Sequence, residues 1–279
     1  MLRNLKPVLD NFYRTFDFEG TRARDPIEFP HSYSDSADQE ISGFIAAVFA
    51  YGNVNLFKPV ERALFSKMGS SPYSFILDFD VRKQRRIFEG IKYRFNENDD
   101  IVALFYMLHV LLKEHGSIEA VFKMHYGDDD RDIGQALSAL IGDLAATDTS
   151  PVYGRNLKPA GLLQFIPSPS KGSACKRMNL FLRWMIRDRD IDFGIWKGIP
   201  KGKLIMPLDT HIARISKCLG FTNRKSQDWK MAVEITEALK KLDPEDPLKY
   251  DFALCHQGIS GVCSAKNCEG CKLFSENEI

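Results

Sequence analysis

Apolar residues recur along this chain at three- and four-residue spacing, which predicts amphipathic helices rather than alternating strands. Leu5, Val8, Leu9, Phe12 and Phe16 share one face of a helix expected over residues 5–16. A polar, proline-punctuated stretch over 20–34 reads as a surface segment. Asp35-Ser36-Ala37-Asp38 then supplies cap residues for an apolar helix over 41–50, which Gly52-Asn53 ends. A helix over 56–68 resumes with Pro59 in its first turn, and Ser71-Pro72 opens a short one. Asp99-Asp100 caps residues 101–112, apolar nearly all round and therefore expected as a central buried helix. Helices over 117–126 and 133–144 follow, split by the acidic turn Asp128-Asp129-Asp130.

The pattern becomes irregular over 147–159, which carries Pro151, Gly154 and Pro159. Past Leu162-Leu163-Gln164-Phe165-Ile166 a proline-rich turn enters a helix over about 173–186, and 191–206 reads as a loop. Helices return over 210–219, 229–242 and 247–257, with no strand series, repeat or low-complexity tract. The expected fold is all-α: a single unit over 1–279, with lobes at 36–160 and 161–254 and a cysteine-rich segment at 255–279.

Composition narrows the class. With 44% hydrophobic and 27% charged residues, the chain has the balance of an ordinary globular protein. The absence of a long apolar run and of an N-terminal apolar segment predicts a cytoplasmic protein without a signal peptide or membrane span. The net charge is only +1, but between Lys171 and Lys203 nine basic residues face three acids, a local excess of six that suits a phosphate footprint or a solvated basic face.

Two residues stand out chemically. In Pro167-Ser168-Pro169-Ser170-Lys171-Gly172-Ser173-Ala174-Cys175-Lys176-Arg177-Met178, a turn enters a helix whose first turn holds Lys176. Apolar neighbours on that helix disfavour a charged amine, and a neutral amine is the nucleophile of Schiff-base chemistry. The same residue also reads as one phosphate-binding lysine among several. In Ile205-Met206-Pro207-Leu208-Asp209-Thr210-His211-Ile212-Ala213-Arg214, Asp209 is placed as the N-cap of the next helix. A cap aspartate open to a cleft can also accept a proton or stabilise positive charge developing on a sugar.

A lysine-bearing helix followed by this Pro-x-Asp-x-His segment resembles the helix-hairpin-helix DNA glycosylases, and in layout the archaeal 8-oxoguanine glycosylase branch. Closer still, Gly172-Ser173-Ala174-Cys175-Lys176-Arg177 and Pro207-Leu208-Asp209-Thr210-His211 are similar to the hallmark of a bacterial family catalogued as a domain of unknown function. The resemblance runs from about Asp38 to Cys271 and is most specific from Phe165 onward. It implies a two-lobed glycosylase-like fold with the site in the interlobe cleft, Lys176 and Asp209 as catalytic pair, and DNA carrying a damaged base or abasic site as partner. The flipped, oxidised purine would leave as the amine attacks the sugar, and β-elimination would cut the strand. DNA contacts are implied for Lys171, Gly172, Ser173, Arg177, His211 and Arg214. Asn53, in Tyr51-Gly52-Asn53, lies where relatives fill the vacated stack. The hairpin departs from the family's glycine-rich pattern: only Gly172 remains, and Pro169 offers no N–H to a phosphate.

Cys255, Cys263, Cys268 and Cys271 crowd the C-terminal end, at spacings that suit zinc or a [4Fe–4S] cluster. The last three resemble the cluster of endonuclease III-like glycosylases, whose fourth cysteine is missing here; Cys255 can substitute or be a core thiol. Beside the DNA glycosylase/lyase reading stand two others: a non-catalytic nucleic-acid-binding protein of the same fold, and a helical metal-binding interaction protein.

Overall fold

Caps and apolar periodicity set most helix positions. The computed structural model describes residues 5–259. In chain order its helices are α1 (Leu5–Thr15), α2 (Phe18–Arg22), α3 (Ser36–Phe49), α4 (Val54–Met68), α5 (Pro72–Leu77), α6 (Val81–Ile87), α7 (Asn98–His115), α8 (Ile118–Met124), α9 (Gly134–Ala146), α10 (Ser150–Tyr153), α11 (Ala160–Phe165), α12 (Lys176–Ile186), α13 (Thr210–Cys218), α14 (Trp229–Lys240) and α15 (Asp251–Ile259). Among the described residues no strand forms, and the only bridges pair Tyr93 with Asn96 and Ser173 with Asp228. The protein is all-α. No single described helix is long and apolar enough to cross a membrane.

The chain divides into two units, Arg22–Lys171 and the pair of segments Met1–Thr21 and Gly172–Ile279. The first is organised by α3 and α7. Every residue of α3 from Ile41 to Phe49 is buried, and α7 buries Asp100 to Phe105 together with Met107, Leu108, Leu111 and Leu112. Helices α5, α6, α8, α10 and α11 pack on α7. The polar residues of α3 are spent on its neighbours. Asp38 accepts from Ser71 Oγ and Tyr73 N, while Glu40 accepts from Ile118 N and Glu119 N at 2.9 Å each, placing a carboxylate at the positive end of α8. A capping box between Glu97 and Asp100 starts α7 three residues before the apolar run, and Gly116 closes it.

In the other unit α12 is buried over ten of its eleven residues, Arg177 to Ile186. The loop after it turns back, and Phe193, Gly194 and Trp196 donate backbone N–H groups to the carbonyls of Trp184 and Met185, closing the helix end. Helix α1 belongs here rather than with α3. Its Asp10 takes hydrogen bonds from Lys6 and Tyr250 and an ion pair from Lys249 at 2.8 Å. Phe16 and Phe18 lie on Phe252 with ring centroids 5.9 and 5.8 Å away.

Several details differ from expectation, three of them instructive. Asn53 caps α4 through Asn55 N, so the helix begins at Val54 and Pro59 falls in its interior. Helix α6, Val-Arg-Lys-Gln-Arg-Arg-Ile, has no apolar stripe to announce it and starts from the Asp80 cap on Lys83 N. Helix α12 begins at Lys176, not near Ser173, because Cys175 is held left-handed at φ 49° just before it.

Candidate functional site

Lys176 is the first residue of α12 and is half-buried. Gly172, at φ 77°, turns the chain into this start, and its carbonyl accepts from Trp229 N. Ser173 Oγ accepts from Cys175 N at 3.2 Å. The Cys175 thiol is buried and pushed up to about 11 by that burial, so it is a packing group rather than a nucleophile. Asn179, one turn on, is fully buried; its amide donates to the Ala174 carbonyl while its own carbonyl oxygen has no hydrogen-bond partner.

Asp209 caps α13 as the sequence predicts. Its Oδ1 accepts from both His211 N at 2.9 Å and Ile212 N at 2.8 Å. Its Oδ2 receives a thiol hydrogen bond from Cys255 of α15 at 3.4 Å. The two helices approach closely here because Gly258 has no side chain: a Cβ there would lie 2.7 Å from His211 Cβ. Arg214 donates to the Gly258 carbonyl, and His211 Nδ1 is buried without a hydrogen-bond partner. On α15, burial pushes the Asp251 carboxyl up to about 6 against the pull of Arg183, and the Asp209 charge adds to the rise. One oxygen of Asp209 is thus saturated by backbone, and the other meets a weak donor.

Folding pairs part of the basic segment with acids. Arg183 is 2% exposed and bound to Asp192 and Asp251; Arg187 is 3% exposed and bound to Asp190, Asp192 and Asp246. Lys201 pairs with Asp188, and Arg177 is buried. Lys171 stays exposed and Lys203 half-exposed. The excess of six charges counted along the chain overstates the footprint, because Arg183 and Arg187, included in it, are buried on Asp251 and Asp246 from outside the segment.

A second cluster lies within Arg22–Lys171 and was only touched by the Asn53 expectation. Tyr93 and Asn96 exchange backbone hydrogen bonds at 3.0 and 2.9 Å, making a tight turn with Arg94 and Phe95 at its tip. Tyr51 and Tyr93 clamp it: Tyr51 Oη donates to the Tyr93 carbonyl, and Tyr93 Oη donates to the Tyr51 carbonyl. Arg94 is held at φ 52°, with its guanidinium 5.6 Å from the Tyr51 ring centroid and 5.3 Å from that of Phe95. Gly52, at φ 80°, takes a left-handed conformation that favours glycine, and a Cβ there would sit 2.8 Å from Tyr93 Oη, which is held on the Tyr51 carbonyl. Phe95 is 67% exposed and Leu56 60%. The turn thus displays a large apolar side chain on a doubly clamped backbone with one residue held left-handed. The signal in the sequence was the run Tyr93-Arg94-Phe95, too short to register in any helical periodicity.

A family model described as a protein of unknown function, DUF2400, matches residues 25–260. The chain belongs to this family. No curated protein and no solved structure matches it. DUF2400 membership covers the Lys176 and Asp209 segments and the Arg94 turn alike. Of the four cysteines expected to bind metal, Cys263, Cys268 and Cys271 lie outside the described residues, and Cys255 has its thiol on Asp209. Among the described residues no group of three or more histidine, cysteine or acidic side chains is placed to hold a metal.

Proposed function

We propose that this protein is a DNA glycosylase/AP lyase of helix-hairpin-helix type acting on an oxidised purine of the 8-oxoguanine kind, with Lys176 as nucleophile and Asp209 as its acid–base and electrostatic partner. The observation that carries the reading is the state of Asp209. A cap engages only one carboxylate oxygen, as Oδ1 of Asp35 does before α3, so the second is available for another role. Here one oxygen does the capping, and the other is turned to a thiol within a unit that also contains Lys176.

In this reading the amine of Lys176 attacks the anomeric carbon as the C–N bond to the base breaks, and the base leaves with its bonding electron pair and gains a proton. Asp209 takes the proton that the amine loses. The sugar ring then opens, the C1′–O4′ bond breaking and its oxygen gaining a proton as the nitrogen lone pair forms the Schiff base. This acidifies C2′, and β-elimination expels the 3′ phosphate. Borohydride trapping on duplex DNA containing 8-oxoguanine or an abasic site tests it: a covalent adduct with the wild type and none with Lys176→Gln supports the mechanism. An adduct that survives Lys176→Gln rules it out.

A second reading, a nucleic-acid-binding protein without catalysis, draws on the Arg94–Phe95 turn, since an exposed aromatic beside a stacked guanidinium is what unpaired bases bind. It predicts salt-dependent binding that Asp209→Asn leaves unchanged, with no lesion-dependent turnover. Zinc or an iron–sulfur cluster on Cys263, Cys268 and Cys271 is compatible with either reading and is tested by metal analysis of the full chain.

A further inference from the structure

Glu61 lies on α4 with no solvent exposure, and neither carboxylate oxygen has a hydrogen-bond partner. One turn earlier on the same helix, Lys58 is 6% exposed, its ammonium 2.9 Å from Glu28 Oε1 and 2.7 Å from the Ala23 carbonyl. Lys58 is therefore a strap. It ties α4 to the stretch of chain that runs from Ala23 through the short 3-10 turn Pro26–Glu28. Residues three apart on a helix face the same way, so Glu61 is the nearest alternative partner for that ammonium.

We propose that Glu61 is the proton-operated release of this strap: neutral, it leaves Lys58 on Glu28 and Ala23; ionised, it draws Lys58 to itself and frees the segment around residues 23–28 from α4. The energetics favour an exchange over passive tolerance. An ionised carboxylate with no hydrogen bond in a dry site is too costly to persist. Of the two nearby cations on α4, Arg62 is 63% exposed and reaches Glu28 Oε1 at 3.4 Å from the solvent side, which leaves the buried Lys58 ammonium as the one to move. Burial holds the Glu61 carboxyl well above the usual carboxylate range, with Lys58 and Arg62 opposing the rise and Asp25 and Glu28 adding to it. The phenol of Tyr93, before α7, also feels the Glu61 charge. On the other packed elements, Asp38 is engaged by Ser71 and Tyr73, and Glu40 by Ile118 and Glu119. Neither is available to take the proton or the lysine.

The test is amide hydrogen exchange of the full chain on either side of neutrality, comparing wild type with Glu61→Gln at each pH so that the intrinsic pH dependence of exchange cancels. The wild type is expected to lose protection at residues 23–32 as pH rises, by tenfold or more, while α7 stays protected. Glu61→Gln, which cannot ionise, is expected to keep it throughout. Lys58→Met is expected to lack that protection at both pH values. Equal protection in wild type and Glu61→Gln at high pH overturns the proposal, as does a loss spread evenly over α3, α4 and α7. Should Lys58→Met fail to fold, the wild-type and Glu61→Gln comparison decides alone.

Discussion

The Cys255 thiol donates to Oδ2 of Asp209 at 3.4 Å while two backbone N–H groups hold Oδ1. The cap and the chemistry assigned to Asp209 are thereby divided between its two oxygens, and substitutions can separate them. Asparagine caps helices as well as aspartate does, so Asp209→Asn is expected to change stability by a few tenths of a kcal/mol. The same change removes the negative charge and should lower single-turnover base release by about 100-fold or more. Asp209→Ala should lose about 1 kcal/mol of stability as well. Thermal melts beside quench-flow measurements check both; equal activity of Asp209→Asn and wild type would remove Asp209 from the reaction.

Exposed and buried basic residues should behave differently toward nucleic acid. Lys171→Gln is expected to weaken binding to all sequences alike and reduce the salt slope by about 1. Arg187→Met leaves Asp190, Asp192 and Asp246 without their shared cation, and should cost about 3–5 kcal/mol of stability without changing the salt slope of the folded fraction. Titrations at several salt concentrations, with urea melts, distinguish the two.

Phe95 supports no core, being two-thirds exposed. Phe95→Ala is expected to leave the melting temperature within a degree or so of wild type, since exposed substitutions stay within about 0.5 kcal/mol. It should weaken binding to DNA with an unpaired or damaged base by about 1–3 kcal/mol. Unchanged affinity in fluorescence anisotropy would strip the Arg94 turn of a recognition role.

Acid should loosen α1. Burial tends to raise the Asp10 carboxyl, but hydrogen bonds from Lys249, Tyr250 and Lys6 outweigh it and hold the group well below its ordinary value. A carboxyl lowered in the folded state contributes stability that is complete above its unfolded value, near 4, and is lost as pH falls below it. Wild type is therefore expected to lose stability relative to Asp10→Asn on acidification below about pH 4, with the variant weaker by about 2 kcal/mol at neutrality. Denaturant melts across the acid range measure the difference.

The all-α class and most helices were legible because each rests on local information: a cap residue, a three-to-four spacing, a closing glycine. Asp35 before α3 and Asp209 before α13 cap as their sequences indicate, and Ser117, expected inside its helix, caps α8. Helix α6 was not legible, since a basic heptad gains its position from packing on α7 and not from its own pattern.

Sequence alone determined that Lys176 lies in the first turn of a helix and Asp209 caps another, because such preferences arise within a few residues of backbone. Tertiary structure alone decided which charges remain available and what each oxygen of Asp209 touches. Arg183 and Arg187 count toward the basic segment in sequence, but Asp251 and Asp246, some sixty residues away, claim them. Cys255 read equally as a metal ligand or a core thiol, and only the packing of α15 brought it to Asp209. Side-chain pairing depends on distances between residues far apart in the chain, and those exist only once hydrophobic burial has fixed which helices meet.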